Sequence, residues 1–574
     1  MKLSPYWPLA LGLGLSTQAQ AALDITHYDL TLEVEPSTLL VDASARLTVL
    51  APAGGGPLTQ IELDLVGLTV EEVSWEGEPA TFTRSSGKLV VNLASPLPEG
   101  RSGVVAITYG GVPDAYVTEQ GDLGLMQDRD ITFAINVTDG ARYWFPCNDR
   151  LDDKATVDLG LIVPRGDVSA GPGHLASVTP LDARTELHQW TMGQEITPYL
   201  LAFAFSNSYV AVPVEVDAGE YPGEVLLLPA SLDTAQVALE TLPTLVDWLQ
   251  ERYGSFPFDR VALHEIPFPG AVEQPGNIAM GSFYFAEDPR LLMYFAHELS
   301  HSWFQGKVTI RNWDQIWLSE GAAAWHELLW VEESEGVEAA DAQAAVYIDA
   351  YRVGMPSEGV FPISDPEVVF GYTTYMKGPT VWRLLEHLAG RQELLGVIHQ
   401  YLNDGDGVGD LDDFFTLLEQ LPGLGYFREE WIDRAGLPSY EFGWAAGPSA
   451  DQIGVALQLK QDRNLWYHTD VDVTLRFDDG SEQAVLLSPD SADYVKTVCT
   501  TRAPVEVVFD PRRMIPAAPA DSLAVVTADP AMACDDGGEP TGCGARYPGG
   551  GFTSLLGLVG VWLPLRRRQR KVRD

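Results

Sequence analysis

The sequence predicts a multidomain α+β protein in which a mainly helical portion lies between two β-rich portions. At 574 residues, 46% of them hydrophobic, the chain is long enough for several domains with buried cores. Residues 22–212 show short alternations of apolar and polar residues between Gly, Pro and Asp turns, which predicts an N-terminal β domain. A helical apolar period runs through 213–437, and alternation returns over 438–517, which predicts a small C-terminal β-sandwich.

The two ends of the chain predict export. Residues 1–21 combine a lysine, an apolar run and Ala-Gln-Ala, the order found in a secretory signal. Residues 518–548, rich in Ala, Pro, Asp and Gly, are interpreted as a linker. The short tail at 549–574 has an apolar segment of fourteen residues, 552–565, before an Arg-rich end, which is about 21 Å as helix against a hydrocarbon core of ~30 Å. It resembles bacterial sorting tails of the myxobacterial type, in which Cys543 matches the processed cysteine; a permanent membrane anchor is the alternative.

Charge and cysteine content exclude several function classes. The chain has 81 acidic and 36 basic residues, so no basic surface is available for the phosphates of a nucleic acid. Four cysteines are too few for a disulfide scaffold and lack zinc-finger spacing. Cys147 lies in an aromatic run and is interpreted as a packed thiol.

A candidate metal site lies within residues 294–325. His297, Glu298 and His301 form an HExxH sequence, and positions four apart on a helix share one face, so both imidazoles can reach one ion. Glu320 follows after eighteen intervening residues at the start of a second predicted helix, with Ser319 as its N-cap. Two His and one Glu are a standard ligand set for catalytic zinc, which leaves one position for a water.

Further candidates could not be assigned from spacing alone. Glu273 lies between Gly-rich and Pro-rich turns, and would either project into a cleft or be an ordinary exposed loop carboxylate. Tyr372 and Tyr375, before a helix starting near Lys377, are either packing residues or supply a phenol directed at the metal. Arg142 and Asp149 need partners if they are buried, and they are interpreted as structural residues, with a direct catalytic role as the alternative.

With these residues in view, the chain resembles the M1 family of zinc aminopeptidases, the gluzincin group. HELSHSWFQGKVT and WLSEGAAAW are similar to the family's zinc motif, so His297, His301 and Glu320 match its ligands and Glu298 its general base. YMKG places Tyr375 on the tyrosine that stabilises the oxyanion.

A second motif indicates the class of substrate that the resemblance implies. GAVEQ, residues 270–274, resembles the family's GAMEN motif, so Glu273 matches the carboxylate that holds a substrate's free amino group, with Gly270 and Ala271 beside it in the substrate site. The resemblance implies one zinc ion per chain, a thermolysin-like catalytic domain at 213–437 and removal of the first residue of peptides by a zinc-activated water.

Three departures from the family pattern are visible. Gln274 replaces an asparagine and Val272 a methionine, and the family's glutamine before ARxxFPC has no clear match, although Asn136 is nearby. No large C-terminal helical domain follows the predicted sandwich, so a more open site is expected.

The expected function is therefore a secreted or cell-surface zinc aminopeptidase acting on peptides with a free N-terminus. The expected location is the surface, outer membrane or exterior of a Gram-negative bacterium. A zinc endopeptidase of the HExxH class and a catalytically silent peptide-binding relative are the alternatives. The preferred first residue and the oligomeric state do not follow from the sequence.

Overall fold

The structure, a computed structural model, describes residues 23–118, 121–216, 221–449, 452–517 and 521–523. The predicted signal at 1–21 and the tail at 549–574 lie outside these residues, as does most of the linker, so those interpretations stay predictions. Within the described part of the chain, no helix is both long enough and apolar enough to cross a membrane.

The N-terminal portion is built on an eight-stranded sheet in the order β14-β15-β12-β1-β2-β8-β4-β5. Its strands are β1 (Asp24–Glu35), β2 (Leu40–Leu50), β4 (Thr69–Trp75), β5 (Glu78–Pro79), β8 (Ser102–Gly111), β12 (Ala155–Pro164), β14 (His174–Pro180) and β15 (Thr185–Ile196). Burial alternates residue by residue along β2, which is the pattern that the sequence predicted. Within this sheet, β1 and β12 pair in parallel.

Two smaller sheets complete this portion. One has the order β3-β7-β6, with β3 (Leu58–Asp64), β6 (Thr81–Ser85) and β7 (Lys88–Leu97). The other has the order β13-β16-β11-β10-β9, with β9 (Tyr116–Thr118), β10 (Gly121–Asp128), β11 (Ile131–Ile135), β13 (Val168–Ala170) and β16 (Ala204–Ser206). Arg142 Nε donates to Asp149 Oδ2 at 2.7 Å, and Cys147 is a buried free thiol, which confirms both structural interpretations.

A five-stranded sheet in the order β17-β18-β19-β21-β20 opens the central portion. Its strands are β17 (Val210–Val216), β18 (Tyr221–Leu227), β19 (Val261–Ile266), β20 (Ala271–Val272) and β21 (Ile278–Gly281). Strand β17 pairs along its whole length with β18, so the boundary predicted at residue 212 falls inside a strand of this sheet. The edge strand β20 carries the GAVEQ segment.

Seven α-helices are described in the central portion. They are α1 (Gln236–Tyr253), α2 (Leu292–Ser300), α3 (Glu320–Glu335), α4 (Val337–Glu358), α5 (Gly378–Ala389), α6 (Arg391–Asn403) and α7 (Leu411–Leu418). Two short strands, β22 (Thr309–Ile310) and β23 (Val408–Gly409), pair in parallel beside them. A 3₁₀ turn at Pro289–Leu291 leads into α2.

Stacked tryptophan rings pack α5 against α3 and against the turn that precedes α3. The Trp382 ring on α5 lies 4.5 Å from that of Trp317 and 5.4 Å from that of Trp325 on α3. Gly321 in the first turn of α3 has no space for a side chain, since a Cβ there would lie 2.5 Å from the Trp317 ring. The start of α3 therefore packs closely against the turn that carries Trp317.

Two facing sheets form the C-terminal portion, in agreement with the predicted small sandwich. They have the orders β28-β25-β24-β30 and β27-β26-β29. The strands are β24 (Tyr440–Ser449), β25 (Gln452–Gln461), β26 (Val471–Arg476), β27 (Glu482–Leu487), β28 (Asp493–Thr500), β29 (Glu506–Phe509) and β30 (Asp521–Ser522). The sheets contact through the rings of Phe442 and Phe509, which are 5.0 Å apart.

Candidate active site and metal centre

Three side chains converge on one point between α2 and α3. His297 Nε2 lies 3.2 Å and His301 Nε2 3.5 Å from Glu320 Oε2, and the three possible ligand atoms all lie within 4.8 Å of one another. His297 is in the last turn of α2, His301 follows its last residue with helical backbone angles, and Glu320 begins α3. All three are buried, so the site presents two imidazoles and a carboxylate away from bulk water.

The Nδ1 atoms of His297 and His301 both have hydrogen-bond partners. His297 Nδ1 lies 2.7 Å from Glu327 Oε1, and His301 Nδ1 lies 3.0 Å from the carbonyl oxygen of Phe304. A carbonyl can only accept, so His301 Nδ1 carries the proton, and a carboxylate imposes the same tautomer on His297. Both Nε2 atoms are then free to donate a lone pair at the convergence point. The donor set therefore fits a single zinc ion.

Ser319 occupies the N-cap position of α3, as the sequence predicted, but its side chain makes no capping hydrogen bond. Its Oγ lies instead 3.5 Å from His301 Nδ1. The Ser319 hydroxyl therefore lies beside the second imidazole and does not cap the helix.

Glu298 is buried beside the donors without being one of them. It lies on α2 between the two histidines in sequence, and burial raises the pKa of its carboxyl to about 7. A divalent cation at the three donors would favour its ionised form. A carboxyl with these opposing influences can take up and return a proton near neutral pH, as a general base requires.

Glu273 lies in the same cavity, so it is not an exposed loop residue. Glu273 is the residue directly after β20, and the Tyr199 hydroxyl donates a hydrogen bond to its Oε1 at 2.9 Å. Glu273 lines the same cavity as His301 and Glu320, and burial raises the pKa of its carboxyl. Gly270 and Ala271 line the cavity beside it.

The two substitutions in the GAMEN-like segment lie on the other side of the backbone. Val272 is buried in an apolar cluster with Phe268, while Gln274 Nε2 donates to the carbonyl oxygen of Ala134 at 3.3 Å. Neither lines the cavity, whereas their neighbours Ala271 and Glu273 do. Side chains alternate between the faces of an extended segment, so the departures alter packing against the β-rich portion and leave the cavity wall unchanged.

Asn136 has a structural role. It is 1% exposed, its Nδ2 donates to the carbonyl oxygen of Leu201 at 2.5 Å, and its Oδ1 accepts from Trp144 Nε1 at 2.9 Å. With these contacts made in the core, Asn136 does not replace the family's glutamine at the cavity.

The structure separates the two candidate tyrosines. Tyr375 lies in the π-helical turn Thr373–Lys377 before α5 and lines the cavity, its ring 6.3 Å from that of His297. Burial and the nearby carboxylates hold its pKa well above the usual range, so the phenol remains a hydrogen-bond donor. Tyr372 is 40% exposed and covers Gly354 on α4, so it is a packing residue.

All eight predicted site residues line one cavity of about 330 Å³. The structure adds lining residues that the sequence reasoning missed: Tyr284, Tyr294, Glu327, Tyr347 and Met376. Glu327 could have been found, because it follows Glu320 by seven residues and thus lies on the same face of α3. Tyr199 and Tyr347 carry no such local signal. Within this lining there is no lysine or arginine.

Two histidines, a glutamate and a neighbouring carboxylate in a buried cavity form the kind of site that zinc metallopeptidases use. The Peptidase family M1 domain matches residues 234–426, which contain the whole metal centre. Residues 234–426 thus carry a peptidase family M1 domain.

Several curated aminopeptidases match this chain over about half of their own length. "Probable aminopeptidase 1" of Sulfurisphaera tokodaii is 25% identical over 66% of this chain and 50% of the relative. "Aminopeptidase N" of Lactobacillus helveticus is 24% identical over 72% of this chain and 51% of the relative. The chain thus spans about half the length of these curated relatives.

Solved structures show the same fold. An M1 zinc metallopeptidase mutant from Deinococcus radiodurans, bound to a Tyr-Ser-Ala substrate, has a TM-score of 0.65 at 24% identity and covers 73% of this chain and 96% of that one. A further structure of the Deinococcus radiodurans M1 zinc metallopeptidase has a TM-score of 0.64 at 23% identity, covering 72% of this chain and 94% of that one. The succession of an N-terminal β portion and a mainly helical portion is therefore shared with these structures.

Proposed function

We propose that the protein is an exported zinc aminopeptidase that removes the first residue from peptides with a free amino end. The observation that carries this proposal is the position of Glu273. A buried carboxylate in the same cavity as the three metal donors can pair with a substrate's α-ammonium group. Such an anchor fixes the position of cleavage relative to the amino end of the peptide. A metal site without such an anchor would not distinguish the end of a peptide from its middle.

The zinc ion, when bound, supplies Lewis acidity and lowers the pKa of a bound water toward about 7. Glu298 takes a proton from the attacking water and later gives it to the leaving amine. Tyr375 donates its hydroxyl proton in a hydrogen bond to the carbonyl oxygen as negative charge develops there. Glu273 orients the substrate through its ammonium, so the reacting carbonyl lies between base and phenol.

Two kinds of similarity support this proposal. The matched relatives are named aminopeptidases, and one solved structure with the same fold is bound to a Tyr-Ser-Ala substrate. The absence of Lys and Arg from the described cavity lining agrees with a site that binds the positively charged end of a peptide.

Export is the second part of the proposal, and it rests on the secretory-type residues 1–21. It is supported by Cys499, which is disulfide-bonded, since structural disulfides persist chiefly in oxidising compartments outside the cytoplasm. We place the enzyme at the surface, in the outer membrane or outside a Gram-negative cell, with the tail at 549–574 either processed near Cys543 or kept as an anchor. Cell fractionation followed by mass spectrometry of both ends of the mature chain tests this part, and a cytoplasmic protein that kept residues 1–21 would refute it.

The activity is tested with matched free and blocked substrates. The purified protein is assayed on aminoacyl fluorogenic substrates and their N-acetylated forms, with and without a zinc chelator. Free substrates are expected to be hydrolysed in a chelator-sensitive reaction, and Glu273→Ala should reduce hydrolysis of the free substrates selectively. Glu287→Ala, which removes an exposed carboxylate outside the cavity, is the control.

Two results would contradict the proposal. Internal cleavage of N-acetylated peptides with free ones spared would make the protein an endopeptidase. Zinc-loaded protein that hydrolysed none of a broad aminoacyl panel would make it a peptide-binding relative.

A further inference from the structure

Tyr199 connects the N-terminal β portion to the anchor carboxylate. It lies in the 3₁₀ turn Pro198–Leu200 between β15 and β16, and its side chain is 2% exposed. Its hydroxyl donates to Glu273 Oε1 at 2.9 Å, across 74 positions of sequence. A residue outside the matched Peptidase family M1 domain therefore contacts the group on which the proposed exopeptidase activity depends.

The position of Tyr199 is held from several sides. Its ring packs edge-on against that of Trp313 with 5.2 Å between centroids, and Trp313 packs in turn against Phe370 at 5.8 Å. The turn itself is buried, and the hydroxyl of Thr197 at its start donates to the carbonyl oxygen of Arg150 at 2.9 Å. A phenol held this firmly offers its proton from one fixed direction.

Glu273 needs such a partner. A buried carboxylate without hydrogen bonds is costly and can rotate between alternative side-chain conformations. One donor on Oε1 compensates part of this cost and leaves Oε2 available to a ligand. An ammonium group entering the cavity then meets a carboxylate that is already oriented.

We propose that Tyr199 is a positioning residue that orients the Glu273 carboxylate to receive the substrate's α-ammonium group. This inference rests on the proposed aminopeptidase function and deepens it, since the N-terminal β portion would then contribute a residue that orients the substrate-binding carboxylate. Tyr199 is not among the described residues that line the cavity, so it acts through Glu273.

The test is Tyr199→Phe in the full-length zinc-loaded protein, which removes the hydroxyl and keeps the ring packed on Trp313. Because a hydrogen bond to a charged group contributes noticeably more than a neutral one, the KM for aminoacyl substrates is expected to rise about tenfold, with kcat changed much less. Two hydroxamate inhibitors, one derived from an amino acid and one its des-amino analogue, give a second measurement. The variant should lose about tenfold in affinity for the first and keep its affinity for the second.

A matched control separates this role from a general loss of stability. Tyr209→Phe removes a hydroxyl that is also buried and bonded, at 2.7 Å to the carbonyl oxygen of Glu265, but outside the cavity lining. It should leave the ratio of the two inhibition constants unchanged. Thermal unfolding and zinc content are measured for both variants.

The outcomes distinguish the two proposals. If wild type prefers the amino inhibitor and Tyr199→Phe retains that preference, or weakens both inhibitors equally, the role of Tyr199 is refuted while the proposed function stands. If wild type itself binds both inhibitors equally, the anchor role of Glu273 fails, and the inference about Tyr199 fails with it.

Discussion

Replacing Glu327 by glutamine should weaken zinc binding although Glu327 is not a ligand. Its Oε1 lies 2.7 Å from His297 Nδ1, and its Oε2 accepts from the hydroxyl of Tyr347. The carboxylate fixes the His297 tautomer that presents Nε2 to the metal and increases the basicity of that ring. Glutamine has nearly the same shape but no charge, so the change removes the electrostatic part of this contact while the packing remains.

The size of the effect follows from the kind of contact that is lost. A charge-assisted hydrogen bond in a buried site contributes about 1.5–3 kcal/mol, which corresponds to a roughly 10- to 100-fold loss of metal affinity. Zinc affinity is measured by competition with a chelating dye of known affinity. Glu335→Gln, at an exposed position on the same helix, is the control. A Glu327→Gln protein that bound zinc within twofold of wild type would refute this account of the His297 tautomer.

Two further predictions concern the base and a buried carboxyl far from it. Glu298→Gln should lower kcat/KM by about 10²- to 10⁴-fold while zinc content stays at one per chain; an active variant, or one without zinc, would contradict the base assignment. Asp153→Asn should stabilise the fold, because burial raises the pKa of Asp153 to about 7 from an unfolded value near 3.8. Between these two pKa values the folded protein keeps the proton on Asp153 while the unfolded chain loses it. The free energy of unfolding therefore falls as the pH rises from about 4, and it stops falling above about 7, where folded Asp153 is also ionised. The variant should gain up to about 4 kcal/mol of unfolding free energy at pH 8, less at pH 5 and almost none near pH 4, measured by denaturant titration. A gain independent of pH would show that charge burial is not the cause.

Local spacing was sufficient to predict the metal donors. His297 and His301 are four residues apart, and the geometry of one helix places both imidazoles on one face whatever the rest of the chain does. The same holds for the alternating burial along β2, because a strand turns successive side chains to opposite faces. The assignment of Glu273 and Tyr375 depended on the family resemblance, since a loop carboxylate and a loop phenol have no period of their own.

The tertiary structure decided which side chains surround these groups. Tyr199 reaches Glu273 across 74 positions and Tyr347 reaches Glu327 across 20, from a different turn or helix in each case. Such contacts depend on how sheets and helices pack. The same packing places β17 in the central sheet, although its sequence continues the β pattern that precedes it. The sequence by itself thus determined the donors and the order of β, helical and β portions, because these depend on neighbours along the chain. Only the fold could determine the tautomer of His297, the orientation of Glu273 and the wall of the cavity, because these depend on neighbours in space.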